Sequence, residues 1–353
     1  MPLSMQELAV RFPANPILRP SDVRPSREGM EVACVLNPGA FRFRGRTALL
    51  LRVAERPVQE AGWISTPVLD PAKPGGIDIV RFAESECKWI EDARIFSHNG
   101  RGYLTTLSHL RLAWSDDGVK FTVDPSPTLM GEGPLEAFGL EDCRVTQIGD
   151  TYHLHFTAVS DAGFGVGYIS TTDWKTFQRH GVVIPPPNKD FALFPEKIGG
   201  YYYALHRPTH HNLGGPYIWI SRSPDLLHWG DHQCVARPRP GTWDGQKLGG
   251  GAEPIKTEKG WLEIYHGVAK DSQYCLGLLL FDLNDPRKVL ARSEFPVMKP
   301  TEPYELTGFF GNVVFTNGHV QDGDKITLYY GASDEVICGA TLSIKTLLAS
   351  LGV

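Results

Sequence analysis

The chain has 353 residues, of which 42% are apolar and 21% are charged, a composition that supplies a sizeable core and excludes a disordered polypeptide. Its net charge of −5 argues against nucleic acid as a partner, because proteins that bind nucleic acid present basic faces. The six cysteines are widely spaced without a Cys-x-x-Cys pair, which indicates neither a zinc site nor a disulfide scaffold.

The first residues predict where the protein resides. Met1–Leu18 lacks the basic start and the apolar stretch of a secretory signal, and no apolar run approaches the length of a membrane span. We therefore expect a cytoplasmic protein with no membrane partner. Residues 1–30 contain Pro and Arg with little periodicity, and we predict that they form an N-terminal extension packed on the body of the protein.

From Val32 onward, short β-branched or aromatic runs alternate with turns that contain Gly or Asp. Such strand–turn–strand units begin near Val35, Asp92, Gly139, Phe194, Ala252 and Val314. Units that repeat roughly every 50 residues, with about four strands each, are typical of a β-propeller. We predict an all-β fold with one β-propeller catalytic domain over residues 31–353. The count of units leaves the number of blades open, because one unit can complete the blade that joins the chain ends.

Each predicted unit begins with a polar or acidic residue on its first strand, which in a propeller lies against the central axis. The residues expected to meet at one mouth of the channel are Asn37, Asp92, Asp142, Glu196 and Glu253. Structural ion pairs at five such positions would be costly if nothing bound there. We therefore predict a functional, carboxylate-lined site at that mouth.

The residue types around this site fit a carbohydrate. Aromatic rings stack on pyranose faces, and carboxylates and basic side chains form hydrogen bonds with hydroxyl groups. The candidate aromatic residues, each of which also fits a core position, are Trp89, Trp114, Trp243, Tyr265 and Tyr330. Cleavage of a glycosidic bond needs an acid and an attacking group, which can be a carboxylate, an activated water or phosphate. These attackers predict, respectively, a close carboxylate pair, a wider carboxylate arrangement or a basic cluster.

An ordered set of motifs resembles glycoside hydrolase family 130. The motifs are Leu36–Ala40, Leu50–Arg52, Glu141–Arg144, Phe194–Ile198, His206–Pro208, Gly249–Ala252, Tyr265–Gly267 and Tyr330–Asp334. The resemblance extends from about Val32 to Ile344. It implies a five-bladed β-propeller that acts on β-mannosides, in most members as an inverting phosphorylase and in a smaller branch as a β-1,2-mannosidase.

The resemblance also implies roles for individual residues. Asp142 is expected to be the general acid, which protonates the leaving oxygen through a hydroxyl of the bound mannose. The residues expected to hold the sugar are Asn37, Arg52, Lys197, His266 and Asp334, and the predicted substrate-binding set also includes Asp92, Arg94, Arg144 and Arg207. Cys143 stands where the family usually has proline, and a buried thiol fits the same small slot.

One departure from the family pattern predicts the attacking group. Phosphorolytic members resemble Gly-Ala-Pro-Pro, whereas this chain has Gly-Ala-Glu-Pro at 251–254. A carboxylate there would repel a phosphate dianion and could accept a proton from water. The hydrolytic branch holds the attacking water with two glutamates, which correspond to Glu253 and Glu294. We therefore predict an inverting hydrolase that releases mannose from β-1,2-linked manno-oligosaccharides, with Asp142, Glu253 and Glu294 as catalytic residues.

Other functions remain as alternatives. Phosphorolysis to mannose 1-phosphate is the first, because Lys189, Arg207, His210 and His211 could form a basic pocket for phosphate. A non-catalytic sugar-binding propeller is the second, but it would need similar aromatic sites in several blades, and the blades diverge. No metal or other cofactor is predicted, since His206 and His210 follow a strand and not a helix. The expected partner is a small β-mannoside.

Overall fold

In a computed structural model, the protein is described over residues 7–89, 95–209 and 214–353. Within these ranges the chain forms twenty-six strands and two short α-helices, which confirms the all-β prediction. Neither helix in this part of the chain is long and apolar enough to cross a membrane.

The strands follow one another with short connections. The first thirteen are β1 (Val10–Arg11), β2 (Met30–Phe43), β3 (Arg46–Pro57), β4 (Trp63–Leu69), β5 (Ile77–Ala83), β6 (Cys87–Trp89), β7 (Ile95–His98), β8 (Arg101–Leu104), β9 (Leu107–Ser115), β10 (Thr122–Val123), β11 (Gly139–Ile148), β12 (Thr151–Ser160) and β13 (Gly163–Thr171). The remaining strands are β14 (Gln178–Ile184), β15 (Asn188–Leu193), β16 (Tyr202–Pro208), β17 (Ile218–Ser223), β18 (Gly230–Ala236), β19 (Lys247–Gly249), β20 (Ile255–Lys256), β21 (Trp261–Val268), β22 (Tyr274–Phe281), β23 (Val289–Arg292), β24 (Val314–Asp322), β25 (Lys325–Ala332) and β26 (Val336–Ser343). The helices are α1 (Pro303–Leu306) and α2 (Ile344–Ser350).

Five groups of strands make up the body, and we number them as sheets. Sheet I contains β2, β3, β9 and β10, sheet II contains β11–β14, and sheet III contains β15–β18. Sheet IV contains β19–β23, and sheet V contains β24–β26 with β1 at its edge. A single parallel bridge between Ser108 of β9 and Gly139 of β11 makes sheets I and II continuous.

The sheets are buried on both faces, which explains their continuous apolar runs. In β3, Ala48 and Leu50 pack in a cluster with sheet II, whereas Leu49, Leu51 and Val53 pack in a cluster with sheet V. This division follows from the strand period of two, which sends successive side chains to opposite faces. Similar apolar clusters join sheets II and III, III and IV, and IV and V. Each sheet therefore packs against two others.

The N-terminal segment lies against sheet V. Strand β1 pairs antiparallel with β26, with Val10 opposite Thr341. Arg11 in this strand binds the buried Glu305 through two hydrogen bonds of 2.7 and 2.9 Å. The first and last strands of the chain thus belong to one sheet.

The segment between β3 and β9 is an insertion, whereas the sequence predicted that a second repeat unit begins within it. It forms two small sheets, β4–β5 and β6–β8, instead of a unit like the other five. Phe82 and Phe96 pack the two small sheets together, with ring centroids 5.9 Å apart. The sequence did not distinguish this insertion from a repeat, because its hairpins have the same turn residues and aromatic alternation. Asp92, the predicted start of the unit, lies outside the described residues.

Candidate active site

A cavity of about 370 Å³, which we call the Asp142 cavity, brings together side chains that are far apart in the sequence. Six predicted site residues line it: Asn37, Arg52, Asp142, Arg207, His266 and Asp334. The other lining residues are Ile95, Leu104, Thr106, Glu141, Val159, Phe164, Lys189, Asp190, Lys247, Tyr274, Val313 and Phe315. The insertion supplies Ile95 and Leu104, so it forms part of one wall.

Three polar side chains reach this cavity from β-bulges. Strands β2, β11 and β15 each shift register, at 36–39, 141–144 and 189–192. Asn37, Asp142 and Asp190 lie within these shifts and have positive φ values of 27°, 48° and 54°. Asn and Asp enter the left-handed region more readily than other residues with a Cβ, and a bulge re-aims the side chain that it contains. The strained backbone thus turns three polar groups from three sheets into one cavity.

Asp142 is held by hydrogen bonds to one of its carboxylate oxygens. Asn37 Nδ2 and Arg52 Nη1 each donate to Asp142 Oδ1 over 3.1 Å. Arg52 Nη2 also donates to Glu141 Oε1 over 2.7 Å, so one guanidinium group bridges two adjacent carboxylates. This arrangement fixes the direction of the Asp142 side chain before any substrate binds.

The charges around Asp142 set its protonation state. Burial acts to raise the pKa of this carboxyl, but the positive charges of Arg52, Lys189 and Arg144 and the hydrogen bond from Asn37 lower it. The lowering effects are larger in sum, and the pKa lies below its ordinary value. Without a bound ligand, Asp142 is therefore a carboxylate at neutral pH.

The cavity also contains a network around Asp190. Arg207 Nη1 lies 2.9 Å from Asp190 Oδ2 and also donates to His266 Nε2 over 3.2 Å. Burial acts to raise the pKa of Asp190, but Arg207 and His266 hold it well below its ordinary value. A Cβ at position 249 would collide with both Asp190 and His266, so the chain needs glycine there to leave room for the network.

Two lysines complete the basic side of the cavity. Burial, followed by the nearby charge of Arg207, lowers the pKa values of both Lys189 and Lys247. Lys247 Nζ donates to the Tyr274 hydroxyl over 2.8 Å. Arg207 Nε is buried and has no hydrogen-bond partner among the described residues. Desolvated cations next to a guanidinium donor without an acceptor form a site that an anion would stabilise.

Arg144 lies beneath the cavity instead of lining it, which corrects its predicted role in binding substrate. Its side chain is 2% exposed. Arg144 Nε and Nη2 donate to the carbonyl oxygens of Gly251 and Gly250 over 2.9 Å, and Nη1 donates to the carbonyl of Asp142 over 3.0 Å. All of these partners belong to the protein, because the side chain at 144 points inward from β11 to the neighbouring sheets.

Glu253 lines a different cavity, of about 300 Å³, which we call the Glu253 cavity. The two cavities share no lining residue. Thr146, which forms a hydrogen bond with Glu253, lies four positions beyond Asp142 on β11. The bulge at 141–144 shortens this stretch by one residue, so at about 3.3 Å per residue the separation is roughly 10 Å along the strand. Glu253 is therefore too far away to hold a water molecule against a sugar bound at Asp142.

Glu196, like Glu253, was expected to meet Asp142 at the mouth of the channel, but it does not line the Asp142 cavity. The sequence predicted Phe194 at the start of an innermost strand, but the observed strand β15 is Asn188–Leu193. Glu196 therefore falls beyond the end of β15, where it pairs with Lys256 of the Glu253 cavity. The residues that β15 contributes to the Asp142 cavity are Lys189 and Asp190.

Two further predicted residues are exposed and do not line the Asp142 cavity. Glu294 has an exposed side chain, and its carbonyl accepts a hydrogen bond from Trp243. Lys197 lies beyond β15 over the ring of Tyr202, 4.6 Å from its centroid. Both follow strand ends, where the side chains turn to the outside of the sheets. Asp92, Arg94, His210 and His211 lie outside the described residues.

Glu253→Gln is expected to leave the chemistry intact and to change how stability depends on pH. Burial raises the pKa of Glu253 to about 8, against a smaller lowering by its hydrogen bond from Thr146. The unfolded chain ionises this carboxyl near pH 4.5, so the folded protein loses stability as pH rises from about 4.5 to 8. Glutamine has the same shape and no charge. Thermal unfolding should therefore show a Tm gain for the variant that is larger at pH 8 than at pH 5, by about 3 °C or more.

Glu294→Gln is the matched control. Because the side chain at 294 is exposed, this substitution should change neither the Tm nor the rate. The kcat/KM of Glu253→Gln should stay within about threefold of the unmodified protein, since its side chain does not line the Asp142 cavity. A rate loss of a hundredfold or more in Glu253→Gln would return this residue to the catalytic set.

Sequence reasoning missed several lining residues, among them Asp190, Lys247 and Tyr274. A signal existed for Asp190: Lys189 and Asp190 open an apolar strand as Glu141 and Asp142 do. No comparable pattern marks Lys247 or Tyr274, which are single polar residues at strand ends.

The candidate aromatic residues do not form the sugar site. Tyr265 and Tyr330 are fully buried, and Trp114 and Trp243 pack against the hydrophobic clusters. Trp89 is half-exposed, on the insertion and away from the lining of the Asp142 cavity.

Comparisons with known proteins agree with the motif resemblance. The model of glycoside hydrolase family 130, described as β-1,4-mannooligosaccharide phosphorylase, matches residues 93–351. The chain is 43% identical over 348 residues to the β-1,2-mannobiose phosphorylase of Listeria innocua, which covers 97% of this chain and 98% of the relative. It is 39% identical over 244 residues to the 1,2-β-oligomannan phosphorylase of a Thermoanaerobacter species, covering 68% and 80%. The solved structure of the Listeria innocua enzyme with β-1,2-mannobiose superposes with a TM-score of 0.92 at 42% identity, covering 98% and 99% of the two chains.

Proposed function

Because the chain belongs to glycoside hydrolase family 130, we propose that it is an inverting phosphorylase that cleaves β-1,2-mannosidic bonds with inorganic phosphate. The products are the shortened mannoside, or mannose, and mannose 1-phosphate. One observation carries this proposal: the Asp142 cavity contains the basic cluster Lys189, Arg207 and Lys247, whereas Glu253, the carboxylate expected to activate water, lines a different cavity. The names of the relatives supply the β-1,2 linkage.

The predicted hydrolysis is wrong. The relatives that match 97% and 68% of the chain, at 43% and 39% identity, are phosphorylases. The argument for hydrolysis depended on Glu253 repelling phosphate and holding water. Glu253 lies in the other cavity, so it neither repels an anion at Asp142 nor activates a water there. The non-catalytic alternative also falls, because the chain is an enzyme of this family.

The phosphate site proposed here consists of Lys189, Arg207 and Lys247. The carboxylates around the two lysines are Asp190, Glu141, Asp142 and Asp334, yet the pKa values of both lysines remain lowered, so these carboxylates do not fully offset the cost of burying the two ammonium groups. A phosphate dianion would supply the missing charge and accept hydrogen bonds from the lysines and from Arg207 Nε. It would also raise the pKa values of both lysines toward their ordinary value, because an opposite charge favours the ammonium form.

Phosphate binding would also prepare Asp142 for its role as the acid. Lys189 is one of the charges that lower the pKa of Asp142. An anion bound to Lys189 offsets that charge and adds a negative charge nearby, so it raises the pKa of Asp142. Protonated Asp142 then donates its proton toward the leaving oxygen through a hydroxyl of the mannose, while a phosphate oxygen attacks the anomeric carbon from the opposite face. Inversion at that carbon converts a β-mannoside into α-mannose 1-phosphate.

The remaining cavity residues would bind the transferred mannose. Asn37, Arg52, His266 and Asp334 line the same cavity as Asp142 and the basic cluster. Burial lowers the pKa of His266 to about 3, an effect that Asp190 opposes and Arg207 reinforces, so the imidazole stays neutral at working pH. A neutral imidazole can donate to or accept from a sugar hydroxyl without adding charge to the phosphate site.

We propose that the five sheets are the blades of a five-bladed β-propeller, with residues 31–353 as its single catalytic domain and residues 1–30 as an extension packed on it. Apolar clusters between sheets I and II, II and III, III and IV, IV and V, and V and I support a closed ring. Strand β1 at the edge of sheet V supports closure by the two ends of the chain. The Asp142 cavity then lies at one mouth of the central axis.

The test is the phosphate dependence of cleavage. Unmodified protein is incubated with β-1,2-mannobiose with and without inorganic phosphate, and the products are followed by chromatography and phosphorus NMR. With phosphate, we expect equal amounts of mannose and α-mannose 1-phosphate, and without phosphate no more than a trace of mannose. β-1,4-Mannobiose serves as the linkage control and should react far more slowly. Release of mannose at full rate without phosphate would contradict the proposal.

A further inference from the structure

Two tryptophans form an unusual exposed pair on the insertion. Trp63 is 49% exposed and Trp89 is 50% exposed. All eight tryptophans of the chain fall within the described residues, and the other six are more deeply buried. Trp63 and Trp89 line the same surface cavity of about 420 Å³. Large exposed apolar side chains that cluster in one concave site indicate binding.

This cavity lies on the outer side of the segment that walls the Asp142 cavity. Leu104 and Thr106 line the Asp142 cavity, whereas Thr105 between them lines the cavity of the two tryptophans. The chain bends at Thr105, directly after β8 ends at Leu104, and this places neighbouring side chains in different cavities. The two cavities therefore adjoin at the segment 104–106, and a ligand too long for the Asp142 cavity has the tryptophan cavity next to it.

The chemistry of the tryptophan cavity favours a neutral, hydroxyl-rich ligand. Its basic residue Arg56 pairs with Glu31, and its acidic residue Glu60 binds Arg81 through two hydrogen bonds of 2.9 and 3.0 Å. These pairings offset the charges of Arg56 and Glu60. Indole rings stack on the apolar faces of pyranoses, and exposed carboxylates such as Glu84 accept hydrogen bonds from hydroxyl groups.

The Asp142 cavity is small, so a second site outside it would help to bind a long oligosaccharide. At about 370 Å³, this cavity is at the small end of the range for ligand pockets, and it must also hold phosphate. Mannosides longer than a disaccharide therefore extend beyond it. We propose that Trp63 and Trp89 form an outer carbohydrate site that binds the distal units of longer β-1,2-manno-oligosaccharides, an inference that rests on the proposed phosphorylase function.

The test compares substrates of different lengths in one double variant, Trp63→Ala with Trp89→Ala. We expect the KM for β-1,2-mannopentaose to rise about tenfold, because two stacking surfaces are lost. The kcat and KM for β-1,2-mannobiose should stay within about twofold. Tyr201→Ala is the matched control, because Tyr201 is also an exposed aromatic residue, 38% exposed, but lies next to sheet III. Tyr201→Ala should change kcat and KM for neither substrate.

Direct binding separates this proposal from the proposed function. Titration of β-1,2-mannopentaose without phosphate, followed by calorimetry, should show about tenfold weaker binding to the double variant. If the unmodified protein cleaves no β-1,2-mannoside but binds the pentasaccharide through the tryptophans, the phosphorylase function fails and the outer site stands. If cleavage occurs but the double variant treats both substrate lengths as the unmodified protein does, the outer site is wrong. A dimer that the double variant converts to monomers in gel filtration would assign this face to an interface between copies, and would also overturn the proposal.

Discussion

Asp142→Asn is expected to lower kcat for phosphorolysis of β-1,2-mannobiose by about 10²–10⁴-fold, the usual contribution of a positioned general acid. Asparagine keeps the oxygen that accepts from Asn37 and Arg52, so the local geometry should persist. It has no transferable proton. The reverse reaction, in which mannose 1-phosphate and mannose form the disaccharide, should be lost to the same extent, because both directions pass through the same transition state. Initial rates in both directions, with circular dichroism as a check on folding, measure this effect.

Glu141→Gln is the matched control for this prediction. Glu141 is adjacent, lines the same cavity and binds the same arginine, Arg52, over 2.7 Å. The Glu141 substitution therefore removes a comparable negative charge and a comparable ion pair without removing the acid. We expect a loss of about tenfold or less. If both variants lost activity equally, the role assigned to Asp142 would reduce to charge balance around Arg52.

The parts of the fold that local pattern determines could be predicted from the sequence. The run 48–51 of β3 is apolar without alternation because both faces of the strand are buried, and such runs between Gly turns identified an all-β repeat protein. Asp142 could be predicted as a site residue because Glu141, Asp142 and Arg144 put three charges at the start of a strand. Charged groups there are costly to bury without a function.

The position of each acid along its strand could not be predicted from the sequence. For this reason Glu253 was wrongly predicted to act together with Asp142. Glu253 and Asp142 both follow glycines, but they occupy two different cavities that share no lining residue. A repeat pattern gives the order of strands without the register between sheets. The β-bulges make this worse, because the extra residue in each of β2, β11 and β15 changes which side chains face the cavity.

Lys189 and Lys197 also show that positions along a strand are hard to predict from the sequence. Both lie near β15 and both are basic, and the motif that resembles the family favoured Lys197 for binding the sugar. The strand ends at Leu193, so Lys189 faces the Asp142 cavity and Lys197 lies outside it. The end of a strand depends on its pairing with a neighbour, here β16, which starts at Tyr202. Sequence patterns locate such ends only to within a few residues.

Arg144→Lys is expected to lower kcat by about 10–100-fold while leaving the KM for mannobiose nearly unchanged. The guanidinium of Arg144 donates to the Asp142 carbonyl and to the carbonyls of Gly250 and Gly251 at once. These bonds hold Asp142 in its left-handed backbone conformation, with φ of 48°. A lysine ammonium is a single point and cannot reach three carbonyls that surround a planar fork. Asp142 would then relax, and a displacement of about 1 Å at a catalytic group can cost about a hundredfold in rate.

Loss of stability alone could also reduce activity, and a second arginine separates the two causes. Arg144→Lys leaves buried carbonyls without donors, which should cost about 1–3 kcal/mol for each group. Arg11→Lys disrupts a comparable set of bonds, to Glu305 and to the Lys299 carbonyl, but neither of these partners lines the Asp142 cavity, whereas Arg144 binds Asp142. Both variants should lower Tm, and kcat measured well below either Tm should fall only for Arg144→Lys. Equal kcat values for the two variants would show that Arg144 stabilises the fold without positioning the acid. A residue that only adds stability does not change the rate of the protein that remains folded.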